Sequence, residues 1–142
     1  MHKFKIYFLI LFFGLFFTKE VLSKNSYFAE AEKLFKEKKY NKSKFKFEKD
    51  IVFNPKNEKS YLYLAKIFKE EKNEIMEEQN LNTVILLNPK NEEAIFLLAV
   101  LKIKKSDYTE SKKLINNFKK VCKIFCEKEK ELTIKLDNLE PK

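Results

Sequence analysis

Apolar and polar residues follow a helical period along much of the chain. Tyr61, Leu64 and Phe68 stand three or four residues apart and therefore share one face of a helix. Lysine and glutamate interleave on the other faces, which is typical of solvated helical surfaces. With one glycine and three prolines, the chain has little of the turn chemistry that β-hairpins need. The pattern predicts an all-α domain over residues 24–142.

A repeated pentapeptide sets the period of this pattern. Asn-Pro-Lys-Asn-Glu stands at residues 54–58 and returns unchanged at residues 88–92, 34 residues later. Ala31, Ala65 and Ala99 follow one another with the same step. A fixed period of this length is typical of stacked αα-hairpins. We predict three repeats, at about residues 24–57, 58–91 and 92–123.

Proline and polar capping residues mark the helix boundaries. Pro55 ends one helix and Asn57 is placed to cap the next, and the same pair recurs one period later. Asp107 with Glu110 has the spacing of a capping box. The predicted helices are residues 26–38, 41–53, 58–71, 74–87, 92–105, 107–120 and, without a proline break, about 121–139. The last helix is strongly charged, so we expect it to cap the end of the stack.

These residues resemble the tetratricopeptide repeat, a 34-residue helix–turn–helix unit. The middle unit carries the family's first-helix pattern in Tyr61, Leu64, Ala65 and Phe68, and Pro89 closes it. The resemblance covers about residues 25–123 and implies an αα-hairpin solenoid with a C-terminal capping helix. Such a solenoid has a concave groove that holds segments of other proteins.

The second helices depart from the family pattern. Ser43, Glu77 and Ser111 occupy the place of the small residue, and Lys123 stands where the closing proline would fall. Glu77 makes the second helix of the middle unit the least typical one.

Catalytic chemistry is nearly absent from the composition. The only histidine is His2 and the only glycine is Gly14. Histidine-based nucleophile, acid/base and zinc sites and glycine-rich phosphate loops are therefore excluded from residues 24–142. We predict no enzyme activity, catalytic residue, metal site or cofactor.

Cys122 and Cys126 are the one remaining group of residues whose side chains suggest special chemistry. Their spacing matches neither a redox Cys-x-x-Cys motif nor a four-ligand metal site. Four residues apart on an intact helix, their Cβ atoms would lie about 5 to 6 Å apart, whereas a disulfide needs about 3.8 Å. Two alternatives therefore remain open for this pair: two buried thiols, or a disulfide that bends the helix near Lys123.

Residues 1–23 have the organisation of a secretory signal. Lys3 and Lys5 precede an apolar run at residues 6–17, and we place the cut after Ser23. As a helix this run spans about 18 Å, less than a hydrocarbon core of about 30 Å, which favours cleavage over a short membrane anchor. We predict an extracytoplasmic protein of the bacterial periplasm, with secretion or inner-membrane anchoring as alternatives.

The resemblance implies a binding stripe on the first helix of each hairpin. It lies about a quarter turn from the core stripe of Tyr61 and Phe68, and we expect Phe96 to be its central anchor. The predicted groove residues are Phe28, Phe35, Leu62, Lys66, Lys69, Phe96, Val100 and Ile103. The predicted function is an exported scaffold that binds a protein or peptide segment with apolar anchors and some acidic residues.

Without residues 1–23 the chain keeps 27 lysines and 20 acidic residues, a net charge of +7, which motivates a second hypothesis, electrostatic binding to a polyanion or an anionic membrane surface. Its lysine cluster is Lys36, Lys38, Lys39, Lys42, Lys44 and Lys46. Nucleic acid is a disfavoured partner, because the basic residues interleave with acidic ones. Apart from this hypothesis, we expect a membrane partner only if the N-terminal segment stays uncleaved. A homo-oligomer, in which a second copy of the chain covers the binding stripe, remains an open alternative.

Overall fold

The computed structural model describes residues 26–139, and its regular structure there is helical. The predicted signal, residues 1–23, lies outside the described residues. The chain divides into two compact units, Met1–Pro55 and Lys56–Lys142. The first contains α1 (Ser26–Lys36) and α2 (Tyr40–Phe53). The second contains α3 (Glu58–Glu70), α4 (Glu74–Leu87), α5 (Glu92–Lys104), α6 (Tyr108–Val121) and α7 (Lys128–Leu139).

Helices α1 to α6 form three antiparallel hairpins, α1–α2, α3–α4 and α5–α6. Their boundaries lie within two residues of those that the repeat predicts. The all-α prediction and the hairpin prediction are therefore confirmed for the described residues.

Asparagine and aspartate cap the helices as predicted, with one exception. Asn91 accepts a hydrogen bond from the backbone N–H of Ala94 at 3.0 Å, and Asp107 caps α6 in the same way at 3.2 Å. Asn57 has no such cap bond, and its side-chain amide instead donates to the Ser60 hydroxyl at 3.1 Å. The predicted cap at Asn57 is therefore wrong, because a nearby hydroxyl competes for its side chain.

The turn inside each hairpin has one residue in the left-handed region. Lys38, Lys72 and Ser106 have φ angles of 57°, 56° and 59° and stand one repeat apart. In the second hairpin the N–H of Asn73 donates to the carbonyl of Phe68 at 2.9 Å, the six-to-one bond of a Schellman motif. Glycine is the usual residue at this position, so the local sequence does not signal the motif.

The core of the first unit lies between α1 and α2. Ala31, Ser43 and Phe47 are fully buried. The Ser43 hydroxyl donates to the backbone carbonyl of Ala31 at 2.8 Å. A small residue on each helix lets the two backbones come close, and this bond satisfies the buried hydroxyl.

The second unit has one continuous apolar core. Ala65 and Ala99 are buried in it, as predicted for residues at helix contacts. Leu132 and Leu136 of α7 join the same core, so the last helix does cover the end of the stack. The hydroxyl of Tyr108 donates to the carbonyl of Leu139 at 2.7 Å and ties the far end of α7 to α6.

The link before α7 differs from the prediction of a helix over residues 121–139. The chain leaves the helical conformation after Val121 and resumes it at Lys128. Cys122 and Cys126 form a disulfide across this link, with their Cα atoms 5.3 Å apart. The physical reason is that two cysteines four residues apart on an intact helix are too far apart to bond, so the bonded pair requires a break.

Candidate functional site

Two of the predicted groove residues lie in the first unit, where both make aromatic contacts. The ring of Phe28 packs edge-on against the buried ring of Phe47, with centroids 5.7 Å apart. The Phe35 ring lies 5.5 Å from the ring of Tyr40. Both phenylalanines are half-buried. These contacts join α1 to α2, and a binding role for the two residues stays a prediction.

Leu62 and Ile103 lie in the core of the second unit instead of on an accessible surface. Helix α3 has buried residues over more than half of its circumference. A stripe only a quarter turn from the core stripe therefore falls partly inside the core. The accessible part of the predicted stripe in this unit consists of Lys66, Lys69, Phe96 and Val100.

Lys66 connects the first helices of the second and third hairpins. Its ammonium nitrogen lies 2.7 Å from a carboxylate oxygen of Glu93 on α5. The same nitrogen lies 5.1 Å from the centroid of the Tyr63 ring. An ion pair this exposed stabilises the fold little, but it holds a cation between the two helices.

Phe96 and Val100 supply the apolar part of this surface. The Phe96 ring lies 6.3 Å from the buried ring of Phe118, and the ammonium nitrogen of Lys128 is 5.7 Å from its centroid. Phe96 is therefore partly covered by α6 and α7. Val100 lies one turn further along α5 and is also half-buried against the core. Lys66, Lys69, Phe96 and Val100 together are called the α3–α5 surface below.

An ion-pair cluster that the sequence did not reveal joins the second and third hairpins. The ammonium nitrogen of Lys102 lies 2.7 Å from Glu78 of α4 and 3.3 Å from Asp107, and Lys105 also pairs with Glu78. The hydrogen bond from Lys102 lowers the pKa of Glu78 and raises that of Lys102 itself. Lys102 stands where the middle repeat has the aromatic Phe68, and that substitution is the only signal in the sequence.

Glu77 is a buried acid at the place of the small residue. It is 5% exposed, and this burial raises its pKa, although Lys69 and Lys104 oppose the shift. Ser43 and Ser111, the corresponding residues of the other hairpins, are uncharged and buried. The departure in the repeat pattern therefore marks a charge in the core.

Glu92 binds the segment between α6 and α7, residues 122–127, which contains the disulfide and is called the disulfide link below. Its carboxylate accepts hydrogen bonds from the backbone N–H groups of Lys123, Ile124 and Phe125, at 2.8, 3.0 and 2.9 Å. These bonds, led by that from Phe125, lower the pKa of Glu92. The three amides form a nest for an anion, and the protein's own carboxylate fills it.

Two other features are absent from residues 26–139. Within residues 26–139, no three His, Cys, Asp or Glu residues are grouped so that they could hold a metal ion. In the same part of the chain, no helix has the length and apolar character required to cross a membrane.

Solved structures with the same helical arrangement are tetratricopeptide-repeat domains. The TPR2B domain of yeast Sti1, solved in complex with pHsp70, has a TM-score of 0.74 at 12% identity, over 84% of this chain and 99% of that chain. The first TPR domain of Spaghetti (RPAP3), bound to the HSP90 peptide SRMEEVD, has a TM-score of 0.72 at 19% identity, over 82% and 92%. The type III secretion chaperone SycD of Yersinia enterocolitica, in complex with a peptide of the translocator YopD, has a TM-score of 0.68 at 14% identity, over 87% and 92%.

Neither a protein-family model nor a curated protein matches the sequence. At these identities the structural similarity concerns the fold. The described hairpins, their 34-residue step and the buried alanines of the first helices agree with it. This chain therefore has the fold of a tetratricopeptide-repeat domain.

Proposed function

We propose that this protein is an exported scaffold that binds a peptide segment of another protein on the α3–α5 surface, without catalysis. The observation that carries the proposal is that this surface has two half-buried apolar residues on α5 and two lysines on α3. Phe96 and Val100 offer contact area, Lys69 places positive charge beside it, and Lys66 adds an ammonium group that it shares with Glu93. Such a surface suits a segment with apolar anchors and acidic residues.

The structural neighbours support the same class of partner. The first RPAP3 domain binds the peptide SRMEEVD, in which methionine and valine accompany three acidic residues. SycD binds a peptide of YopD. Apolar and acidic side chains in one short segment are the chemistry that the α3–α5 surface complements.

A displayed library of random peptides, panned against the full chain, supplies a probe while the natural partner is still unidentified. We expect selection of peptides that combine apolar and acidic residues, with affinities measured by fluorescence anisotropy. The variant Lys69→Glu with Val100→Asp should lose binding, since both residues reach the surface. Phe96 is left intact, because its contact with Phe118 makes its loss a risk to the fold.

A matched control lies on α7, where Ile134 is 60% exposed and Lys130 is exposed. The variant Lys130→Glu with Ile134→Asp should bind the selected peptides normally. If both double variants bind equally well, the α3–α5 surface is not the binding site. Selection of purely acidic peptides, whose binding collapses as salt rises, would favour the polyanion hypothesis instead.

Export has a separate test. N-terminal sequencing of the protein from its native host should begin at Lys24, within a residue or two. An intact Met1 would instead mean that the scaffold keeps its N-terminal segment as an anchor.

A further inference from the structure

The outer face of α2 exposes large apolar residues between lysines. Phe45, Val52 and Phe53 are 54%, 74% and 53% exposed. With about 100° of rotation per residue, they share an arc of about 120° with three lysines. The lysines of this arc are Lys42, Lys46 and Lys49. We call these six residues the α2 outer face.

Acidic residues are kept to the margins of this face. Glu48 and Asp50 lie just outside the two edges of the arc, and Asp50 is buried. Glu30 of α1 reaches the face and pairs with Lys46 at 2.8 Å. The face as a whole therefore presents positive charge around its apolar residues.

Two of the three lysines, Lys46 and Lys49, lie over aromatic rings. The ammonium nitrogen of Lys49 is 4.6 Å from the centroid of Phe45 and 5.7 Å from that of Tyr27. Lys46 lies 5.6 Å from the Tyr27 ring, and this ring in turn stacks on Phe53 at 5.7 Å. Aliphatic stems and rings thus form one apolar layer, with ammonium groups at its edge.

A groove of about 500 Å³ continues this layer towards α1. Its apolar lining comes from Leu34 and Phe45, with Lys42 and Lys46 beside them, and Asn41 and Glu30, the ion-pair partner of Lys46, complete the lining. Apolar side chains beside ammonium groups match a phospholipid, whose phosphate and acyl chains are joined in one molecule.

The α2 outer face carries three apolar residues that are each more than half exposed, interleaved with lysines along a single helix. Helices that lie on membranes combine aromatic or aliphatic residues with a lysine-rich polar face in this way. We infer that the α2 outer face binds the surface of an anionic phospholipid bilayer. The inference is independent of the α3–α5 surface, which lies in the other unit.

The sequence contains no tryptophan, so a single introduced tryptophan reports on its own position. Phe45→Trp in the full chain should give a blue-shifted emission on vesicles of phosphatidylglycerol and phosphatidylcholine. Brominated acyl chains in those vesicles should quench it. The matched control is Leu86→Trp, at a position of α4 that is 81% exposed on a helix without lysine. Its emission should not change, even if residues 1–23 attach the chain to the vesicle.

Charge neutralisation tests the same face without altering its other apolar residues. In the Phe45→Trp chain, Lys42→Gln with Lys49→Gln should weaken the tryptophan response about 30-fold, since each lysine near an anionic surface contributes about a fivefold gain in affinity. Lys112→Gln with Lys113→Gln, exposed on α6, should leave the response unchanged.

Four outcomes would overturn the inference. The first is an unchanged emission of the Phe45→Trp chain on anionic vesicles, and the second is an equal response to pure phosphatidylcholine. The third is a blue shift that appears without vesicles, whether constant or rising with protein concentration, which would mean that the chain itself or a second copy covers the face. The fourth is a response to soluble polyglutamate but not to vesicles, which would identify an acidic protein partner.

Discussion

The second and third hairpins follow the same pentapeptide, yet different interactions hold them together. In the second, Phe68 is buried at the aromatic place, and Glu58 accepts a hydrogen bond from the side chain of Asn88 at 3.0 Å. In the third, Lys102 takes the aromatic place and forms ion pairs. Glu92, the counterpart of Glu58, binds three backbone N–H groups of the disulfide link.

The difference shows which structural properties are the same in both copies of the repeat. In both hairpins the first glutamate receives hydrogen bonds from the chain that follows the second helix, so the closing contact is retained while its donors change. Buried positions also differ, since the second hairpin has Glu77 where the third has Ser111. The period determines backbone geometry, and each hairpin satisfies that geometry with its own side chains.

The largest effect is expected from enlarging the shared alanines. Ala65→Leu should lower the free energy of unfolding by about 1 to 3 kcal/mol, because the buried helix contact has no room for the longer side chain. Ala99→Leu should cost a similar amount. Urea unfolding measures both, with the exposed Ala29→Leu as a control that should be nearly neutral. A neutral result at Ala65 and Ala99 would mean that the 34-residue step does not organise the packing.

Loss of the ion-pair cluster between the second and third hairpins should give the next largest effect. Lys102→Met should cost about 1 to 2 kcal/mol at neutral pH, because it leaves Glu78 poorly paired in a largely shielded position. The lowered pKa of Glu78 means that its stabilisation is present above the unfolded pKa and lost as pH falls through the folded one. The difference between variant and parent should therefore shrink in acid. Lys113→Met, which removes the exposed pair with Glu110, is the control, and an equal loss there would contradict a special role for Lys102.

Glu77 should give the protein a pH dependence of stability that is opposite to the one expected from Glu78. Because burial raises its folded pKa, the protein loses stability as pH rises from the ordinary carboxyl range through the raised value. Glu77→Gln should therefore stabilise the protein at neutral pH, by up to about 1 kcal/mol since Lys69 and Lys104 already offset part of the cost. Thermal unfolding across pH should show the two proteins converging in acid. A variant that is less stable at every pH would show that the charge itself stabilises the core.

The smallest effect is expected at the turns, and it should be alike in both hairpins. Lys72→Gly and Ser106→Gly should each stabilise the protein by roughly 0.5 to 1 kcal/mol, because glycine adopts the left-handed conformation without a steric penalty. Lys113→Gly inside α6 should instead cost about 1 kcal/mol. Chemical denaturation gives all three values, and destabilisation by both turn variants would contradict the left-handed geometry.

The helices were predictable because their signals are local. Apolar spacing, Pro55 and Pro89, and the caps Asn91 and Asp107 act within a few residues of the boundaries that they mark. The turn conformation at Lys72 had no such signal, since the residue type disfavours it. The spacing of Cys122 and Cys126 left the break after Val121 as one of two alternatives, because it depends on whether the cysteines bond and on a carboxylate some thirty residues upstream.

The candidate site was less predictable than the fold. Lys66 and Val100 reach the surface as the helical phase implies, whereas Leu62 and Ile103 are covered by neighbouring helices. The helical period indicates which residues share a face of a helix. It does not indicate how much of the helix circumference the neighbouring helices cover.

The sequence by itself determined the repeat, the all-α class, the hairpins and the lack of histidine and glycine in residues 24–142, because each follows from spacing or composition. The tertiary structure alone decided the pairing of Lys102 with Glu78, the burial of Glu77 and the capture of residues 123–125 by Glu92. Apart from the burial, these are contacts between residues about 24 to 33 positions apart. Contacts at that distance form only when the helices of a hairpin pack together or hairpins stack, and the local sequence does not encode which side chains then meet.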